Sequence, residues 1–418
     1  MEDAKARRVG ETLRALRHRN YRIYFFCMLV SFTGTWMQSI AQSWLVYRLT
    51  ESAWLLGLVG FVGQAPVFFF TPLGGVLADR HRRQMIIILT QAASMFQALL
   101  LAWLTLTDSV TVAWVVALAL VLGIITAFDM PARQSFMIEM VGKEDLMNAI
   151  ALNSSMINGA RIIGPATAGL VVASLGEGLC FLLNAVSYVF VIAGMFALRV
   201  ESGTEKSEGS ALSHLKEGFD FIRSARPVRA VLWLVALVSL FGLPYIVLMP
   251  VFARDVLGGG PRALGVMMSA AGAGALAGAL TLAARRSSRG LGRVVAASVA
   301  LFGVMVVLFS ISRNLWLSAL LLVPAAFAVM LQLSASNTLL QMMVPDNLRG
   351  RMMSFYSMSL IGVTPFGSLL AGAVASRIGA PGTLALGGVI CFAGAIIFFS
   401  RLEGLRQEAA IFLGQSET

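Results

Sequence analysis

A single arginine stands in the middle of a long apolar stretch of this 418-residue sequence. Arg161 comes 13 residues after Asn148, where the stretch begins, and this separation corresponds to about 20 Å along a helix. A guanidinium at such a depth in apolar surroundings costs a few kcal/mol unless it meets water or a partner. Two interpretations follow. The charge engages an anionic or hydrogen-bond-accepting ligand, or Arg161 donates to neighbouring helices as part of a gate.

Two aspartates are the candidates for carrying a proton. Asp129 is the only acidic residue within the apolar stretches, and it begins the segment Asp129-Met-Pro-Ala-Arg133. An ion pair with Arg133, or a helix cap, is the simpler interpretation of Asp129. Asp79 lies in a short polar turn and is the second candidate.

Other polar side chains lie within the apolar stretches, and each is expected either to contact a ligand in a shared cavity or to hydrogen-bond a neighbouring helix. They are Thr35, Gln38, Gln42, Gln64, Ser154, Asn158, Asn184, Tyr245, Gln332 and Tyr356. Gln38 and Gln42 share one helical face because four residues separate them.

Twelve apolar segments position these residues, and each is close to the 20 or so residues that a helix needs to cross a bilayer. Apolar residues make up 58% of the chain and charged residues only 13%, against about a quarter charged in soluble domains. The first segment lacks a signal-peptide cleavage pattern, so the mature chain is expected to begin near Met1. The sequence predicts an all-α polytopic membrane protein with spans at 22–48, 53–78, 85–106, 109–130, 148–175, 178–199, 228–253, 263–284, 294–311, 314–338, 352–376 and 381–400.

The positive charges lie mainly on one side of the predicted membrane. The net charge is +11, and 26 of the 32 Lys and Arg residues fall at the termini or in alternate loops, against five in the other loops. By the positive-inside rule both termini are cytoplasmic. A nucleic-acid or anionic-lipid surface is the alternative, but aromatic residues are not interleaved with the charges as nucleic-acid binding favours.

The chain divides near its middle into two predicted halves, residues 1–200 and 228–418, joined by a polar cytoplasmic linker at 201–227. Leu212, Leu215, Phe219 and Ile222 share one face of the linker, which predicts an amphipathic surface helix acting as a tether or a regulatory element. A shift of 203 residues aligns 140–176 with 343–379, and nine of these 37 positions are identical. Two parallel six-helix repeats are the architecture of a rocker-type secondary transporter.

A motif in the turn between the second and third spans identifies the family that the chain resembles. The segment Gly74-Gly75-Val-Leu-Ala-Asp79-Arg80-His81-Arg82-Arg83 resembles the G-x-x-x-D-R-x-G-R-R signature of the major facilitator superfamily, although Arg82 replaces the usual Gly. Segments such as FDMPARQSF and NGARIIGPATAGL are similar to the branch of enterobactin-type siderophore exporters and macrolide efflux proteins.

This resemblance implies a gate on the cytoplasmic side. Gly75 is expected to let two helices approach, while Arg80 and Arg83 fix the turn in the cytoplasm. Asp79 faces the amino-terminal end of the eleventh span, where the helix dipole and unpaired N–H groups favour a carboxylate. Such a latch stabilises an outward-open state. A purely topogenic role for the basic turn is the alternative.

The fifth span carries a second motif, Gly159-Ala-Arg161-Ile-Ile-Gly164-Pro165-Ala-Thr-Ala-Gly169, which resembles the glycine-proline motif of drug antiporters. The spacing differs, because one glycine follows the proline where the superfamily has two. Tight helix packing explains the small residues as well as a role in antiport does. Pro165 is expected to kink the helix.

Neither an HExxH zinc pair nor a nucleotide-binding Gly-Lys-Ser/Thr loop is present, so the sequence predicts a non-enzyme that needs no cofactor or metal. The resemblance implies a monomeric secondary active exporter in a bacterial inner membrane. It would move amphiphilic siderophore-like or drug-like molecules by alternating access, with protons as the coupling ion. A lipid or lysolipid flippase and a non-transporting receptor or scaffold are the alternatives.

Overall fold

The computed structural model describes residues 13–198, 200, 221–223, 225–285, 287 and 290–412. The linker helix predicted within 201–227 lies almost wholly outside the described residues. In the described residues a 3-10 turn at Arg14–Arg17 precedes the first helix, and besides a three-residue helical segment at Met249–Val251 there are twelve longer α-helices. These are α1 (Arg19–Thr50), α2 (Ala53–Arg80), α3 (Arg83–Leu106), α4 (Val112–Leu175), α5 (Glu177–Ala197), α6 (Arg226–Leu237), α7 (Pro261–Ala283), α8 (Leu291–Ile311), α9 (Leu315–Met343), α10 (Asp346–Ser357), α11 (Thr364–Ser400) and α12 (Leu402–Phe412).

Ten helical stretches in the described part of the chain are long and apolar enough to cross a membrane. Two of them, Val112–Leu175 with 64 residues and Leu348–Ser400 with 53, have more than twice the length that one crossing needs. Each contains one glycine whose positive φ breaks the helix, Gly142 (φ 72°) or Gly379 (φ 78°). Residues other than glycine rarely adopt this backbone conformation. The all-α polytopic fold is therefore confirmed, and the ten stretches are consistent with twelve crossings.

Helix α4 differs from the predicted pair of spans, which were separated by a loop at 131–147. Helical structure continues through this segment and is interrupted only at Gly142. The reason is packing, because Phe136 and Met140 are buried in a cluster that also contains Tyr21 and Ile87. An apolar face in the polar segment is enough to keep it helical.

The seventh predicted span is irregular rather than a uniform helix. After α6 the chain forms a π-helical turn at Val238–Gly242, a 3-10 turn at Leu243–Ile246, and a second π-helical turn at Phe252–Val256. Pro244 and Pro250 lie in this stretch. Since proline has no N–H to donate, it interrupts the regular i to i−4 hydrogen bonding.

The chain forms two compact units. Unit 1 comprises Met1–Thr50, Val62–Ser207 and Leu264–Ser269. Within it, α1 and α3 each pack against both α4 and α5. Its core contains fully buried Tyr21 and Phe136.

Unit 2 comprises Glu51–Phe61, Glu208–Ala263 and Ala270–Thr418. Helix α8 packs against α9 and α11, and the rings of Phe252 and Phe309 stack with centroids 4.6 Å apart.

Glycines related by the 203-residue shift occupy matching positions in the two units. Gly176 and Gly379 have nearly the same backbone angles, with φ of 83° and 78°. A Cβ atom on Gly164 would lie 2.9 Å from the carbonyl oxygen of Thr33 on α1, and one on Gly367 would lie 2.6 Å from that of Leu240. The internal repeat seen in the sequence is thus also a repeat of helix packing.

The close packing of α2 against α4 involves Gly74 rather than Gly75, which corrects the predicted role of Gly75. A Cβ atom on Gly74 would clash with the carbonyl oxygen of Ala127, whereas one on Gly75 would meet nothing within 4 Å. Gly74 and Gly75 belong to the same motif, but only Gly74 lies at the contact between α2 and α4.

We therefore expect Gly74→Ala to destabilise the protein by about 1 to 3 kcal/mol, the usual cost of overpacking. Gly75→Ala is the matched control. It should be neutral or stabilising by up to about 1 kcal/mol, because alanine favours a helix over glycine. Thermal unfolding of the detergent-solubilised variants measures both effects. Equal destabilisation by the two substitutions would contradict this assignment.

Candidate functional site

Arg161 stacks on an aromatic ring that the sequence did not connect with it. The guanidinium carbon of Arg161, on α4, lies 5.0 Å from the centre of the Trp36 ring on α1. One turn further along α4, a Cβ atom on Gly164 would lie 2.5 Å from the Cβ of Trp36. The two helix backbones therefore nearly touch beside the stack, which we call the Trp36 stack.

Arg161 continues a polar row along α4. Ser154, Asn158 and Arg161 are spaced by four and three residues, so they share one helical face. Ser154 is exposed and Arg161 half-buried. Asn158 is buried and donates from Nδ2 to the Ser154 carbonyl oxygen at 2.9 Å. These three predicted residues are brought together by a single helix.

Asp129 forms the ion pair with Arg133 that their spacing predicts. Its Oδ2 lies 2.7 Å from Nε of Arg133, and the side chain of Asp129 is only 6% exposed. Thr90 and Gln91 on α3 donate to Oδ1 at 2.7 and 3.2 Å. Both carboxylate oxygens thus have charge-assisted or neutral hydrogen bonds, which a buried charge requires.

Arg133 also lies over a ring of α1, with its guanidinium carbon 4.8 Å from the centre of the Phe32 ring. We call this the Phe32 stack. Phe32 and Trp36 are four residues apart and share one face of α1. Two aromatic rings one turn apart on α1 therefore each contact an arginine of α4, namely Arg133 at Phe32 and Arg161 at Trp36.

Several predicted cavity residues form a buried hydrogen-bond network within unit 1. Gln38 donates to Gln97 at 3.1 Å, and Asn184 donates to Gln38 at 2.7 Å. The Tyr188 hydroxyl lies 3.4 Å from both Asn184 Nδ2 and the Thr35 hydroxyl. These amides bond to one another across α1, α3 and α5. Whether any of them contacts a ligand stays a prediction.

The remaining predicted cavity residues are placed separately. Gln42 is half-buried and Gln64 is exposed. In unit 2, Tyr245 packs with its ring centre 6.1 Å from that of Phe302. Gln332 is fully buried and donates to Ser336 at 3.1 Å, and the Tyr356 hydroxyl donates to the Leu333 carbonyl at 2.9 Å.

The basic turn after α2 contains an ion pair that the sequence analysis missed. Nη1 of Arg83 lies 2.7 Å from Oε1 of Glu139 on α4, whereas Asp79 is 3.8 Å from Nη2 of the same arginine. Asp79 is half-exposed and Arg80 is exposed. Arg83 and Glu139 are 56 residues apart, so no local spacing could have paired them. The latch predicted for Asp79 stays a prediction.

The glycine-proline motif packs closely on two sides. Gly164 contacts α1 as described, and a Cβ atom on Gly265 would lie 2.8 Å from both the Gly169 Cα and the Pro165 carbonyl oxygen. Ser269 donates to the Ile162 carbonyl at 3.0 Å. Gly159 has open space where a Cβ would be. Packing accounts for three of the four motif residues, which favours the packing interpretation.

The segment before α1 is held against α4 by charged contacts. Asp145 forms ion pairs with Arg14 and with His18, whose Nε2 lies 2.7 Å from Oδ2. The amide of Ala15 donates to the Asn148 side chain at 2.9 Å. The pKa of the Asp145 carboxyl lies below its ordinary value, because His18 and then Arg14 hydrogen-bond to its charged form.

This lowered pKa gives a pH dependence of known sign. A carboxyl with a lower pKa in the folded state contributes stability above the ordinary pKa of about 4, and the contribution is lost as the pH falls through the lowered value. Asp145→Asn should therefore lower the melting temperature at pH 7, and the difference from the parent protein should shrink as the pH falls below about 4.

Thermal unfolding in detergent at several pH values measures this difference. Glu144→Gln is the matched control at the neighbouring exposed position, and it should show no such pH-dependent difference. A constant difference between Asp145→Asn and the parent at all pH values would contradict the ion-pair assignment.

The described residues contain no group of three or more His, Cys, Asp and Glu side chains suited to a metal ion. A bundle of membrane-crossing helices with an internal repeat, a basic turn and buried ionisable groups is the arrangement of a transporter. The family and the relatives described next are membrane transporters of the major facilitator superfamily, not enzymes.

The chain belongs to the family described as transmembrane secretion effectors, which matches residues 11–411. It is 24% identical to the staphyloferrin A transporter of Staphylococcus aureus over 93% of this chain and 98% of that protein. It is 27% identical to the multidrug efflux pump Tap of Mycolicibacterium fortuitum, over 92% of this chain and 96% of the pump. It is 24% identical to the enterobactin exporter EntS of Salmonella paratyphi A, over 86% and 87%.

Solved structures agree on the fold. The crystal structure of the nucleoside transporter NupG matches with a TM-score of 0.71 and 15% identity, over 92% of this chain and 99% of NupG. At that identity the likeness shows the fold alone. The resemblance predicted from the basic turn and the fifth span is confirmed.

Proposed function

We propose that this protein is a secondary active exporter that moves amphiphilic organic molecules, of the siderophore or drug type, out of the cytoplasm by alternating access. The observation that carries the proposal is the family match over nearly the whole chain. The relatives support the proposal. They match along most of their length, and they are a staphyloferrin A transporter, an enterobactin exporter and a multidrug efflux pump.

The arrangement that goes with this proposal is a monomer in the bacterial inner membrane. Its two six-helix halves are 1–200 and 228–418, with the linker 201–227 and both termini in the cytoplasm. The asymmetry of basic residues between alternate loops supports this orientation. The half-exposed carboxylate of Asp79 remains available to act as a gate on the cytoplasmic side.

The proposed substrates are anionic or rich in hydrogen-bond acceptors. Arg161 is the one basic residue that lies deep within a predicted span. A positive charge at this depth favours a ligand that carries negative charge or hydrogen-bond acceptors, because electrostatic attraction is stronger in apolar surroundings than in water. Ser154 on the same face adds an exposed hydroxyl.

Protons are the proposed coupling ion, with Asp129 as carrier. Protonation of Asp129 would neutralise the carboxylate that now lies 2.7 Å from Arg133, and the half-buried arginine would lose its counter-charge. A partly buried charge that loses its partner is destabilising. Proton binding would therefore favour a conformation in which Arg133 gains another partner or water, and this links protonation to movement.

Flux in proteoliposomes tests the proposal. With an imposed pH gradient, the protein should export at least one compound from a panel of siderophores, drugs and lysolipids. Asp129→Asn should abolish uphill export while exchange of substrate across the membrane survives. Asp108→Asn, at an exposed turn, is the matched control and should behave as the parent does.

Other outcomes of this assay separate the alternatives. Flux of lysolipids alone would make the protein a flippase. A complete absence of flux would favour a receptor or scaffold and contradict the proposal. Uphill export that survives in Asp129→Asn would remove Asp129 from proton coupling.

Arg161→Gln tests the preference for anionic substrates, because glutamine keeps hydrogen bonding and removes the charge. Transported anions should lose affinity by more than tenfold, about 1.4 kcal/mol, while neutral substrates change little. Concentration-dependent transport of both classes measures the effect. Equal losses for the two classes would mark Arg161 as a gating or structural residue.

A further inference from the structure

We propose that Thr90 is the residue that allows Asp129 to hold a proton as well as a negative charge, so that the two side chains form a reversible proton site. The inference rests on the proposed function for its claim that Asp129 takes up protons during transport. It adds a positioning residue, on α3, that no motif in the sequence indicates. A proton needs no cavity, and 6% of the Asp129 side chain remains exposed.

The Thr90 hydroxyl has two acceptors within reach but only one hydrogen to donate. Its Oγ1 lies 2.7 Å from Oδ1 of Asp129 and 2.9 Å from the carbonyl oxygen of Ile87. A hydroxyl donates one hydrogen bond and accepts up to two. At any moment Thr90 therefore donates either to the carboxylate or to the carbonyl, and rotation about a single bond changes the acceptor.

The contact with Arg133 determines which carboxylate oxygen takes the proton. Nε of Arg133 lies 2.7 Å from Oδ2 of Asp129, and an arginine side chain has donors but no acceptor. A proton on Oδ2 would point at another donor, so Oδ1 is the oxygen that is protonated. Oδ1 is also the oxygen that Thr90 contacts.

Two hydrogen-bonding arrangements follow from this geometry. With Asp129 ionised, the Thr90 hydroxyl donates to Oδ1. A proton taken from water forms one O–H bond at Oδ1 and cancels the negative charge, and no covalent bond of the protein breaks. This O–H donates to Oγ1 of Thr90, whose own hydroxyl turns to the Ile87 carbonyl. Release of the proton to water reverses both changes, so neither state leaves a buried hydroxyl without an acceptor, which would be costly.

The other side chain at Oδ1 is a donor in this arrangement. Gln91 presents Nε2 to Oδ1 of Asp129 at 3.2 Å, which suits the ionised carboxylate. The Oε1 atom of Gln91 is buried and has no hydrogen-bond partner among the described residues. Gln91 would become the acceptor only if its amide turned over, whereas Thr90 accepts without moving its oxygen. This difference favours Thr90 and also provides a comparison for the experiment.

The charges around Asp129 agree with a single exchangeable proton. The ionisable side chains described in electrostatic contact with Asp129 are Arg133 on α4, Tyr24 on α1 and Tyr188 on α5. The phenol of a tyrosine is neutral at physiological pH. Helix α3 contributes neutral side chains. The guanidinium of Arg133 is therefore the charge that responds when Asp129 gains or loses its proton, as the proposed coupling requires.

Infrared difference spectra between acid and neutral pH, recorded on the full-length protein in detergent, test the two arrangements. The carboxylic-acid C=O band that is lost in Asp129→Asn belongs to Asp129. Thr90→Val keeps the shape of the side chain and removes the hydroxyl. It should move this band to higher wavenumber, because the Asp129 O–H loses its acceptor. Thr90→Ser restores the hydroxyl and should return the band to the parent position, and Gln91→Met should leave it in place. Thr90→Ala replaces the valine variant if the latter does not fold.

Uphill export in proteoliposomes is the functional measurement. Thr90→Val should lower export driven by a pH gradient by about tenfold or more, the scale expected when a buried charge loses a hydrogen-bond partner, while exchange of substrate across the membrane survives. Thr90→Ser should export as the parent does. Thr105→Val is the matched control and should also behave as the parent. Thr105 is likewise buried on α3, and its hydroxyl donates to the Leu101 carbonyl at 2.7 Å.

Three results would overturn the inference. They are the absence of an Asp129 band in the parent, a band that moves in Gln91→Met but not in Thr90→Val, and uphill export that survives in Thr90→Val. The infrared measurement does not depend on transport. Export that needs Asp129 but not Thr90 would refute the inference and leave the proposed function standing. A band that responds as expected in a protein that transports nothing would support the proton site and contradict the proposed function.

Discussion

Contact between helix backbones at small residues is the interaction on which this architecture depends. Lipid is as apolar as the side chains of the helices, so burial of apolar surface does not drive helices together within a bilayer. Close packing must do so. In unit 1, Gly169 meets Gly265, and in unit 2 a Cβ on Gly57 would lie 2.5 Å from the Ser368 carbonyl oxygen. Even one added methyl group at such contacts would force the helices apart.

Close packing also determines where polar groups are placed. Backbone groups are satisfied within the helices, which frees polar side chains to bond to one another. The amides of Gln38, Gln97 and Asn184 do this across three helices, and Thr90 and Gln91 do it for the carboxylate of Asp129. The interior is therefore polar but largely self-satisfied. Arg161 differs in kind, because its described contact is with the aromatic ring of Trp36.

The features that the sequence predicted correctly are those encoded locally. Apolar length located the spans, four-residue spacing paired Asp129 with Arg133, and the repeated glycines indicated an internal repeat of the sequence. The basic turn and the fifth span indicated the family. Each of these signals lies within a few tens of residues or in a direct repeat of the chain.

The features that could not be predicted depend on partners distant in the chain. Glu139 beside Arg83, Gln97 beside Gln38 and Trp36 beneath Arg161 are brought together only by folding. One sequence contains no signal that joins such pairs. The helical continuation through 131–147 was missed for a different reason, because a polar composition concealed the apolar face that packs around Phe136.

The single break at Gly142 has a mechanical meaning. Asp129 and Arg161 lie on the two parts of one 64-residue element, and one glycine, not a loop, joins those parts. A flexible loop would absorb a displacement of either part as slack. A joint of one residue lets the two helical parts change their relative direction, but it adds almost no length between them. The two helical parts that carry Asp129 and Arg161 are thus joined by a short covalent connection and not by a loop.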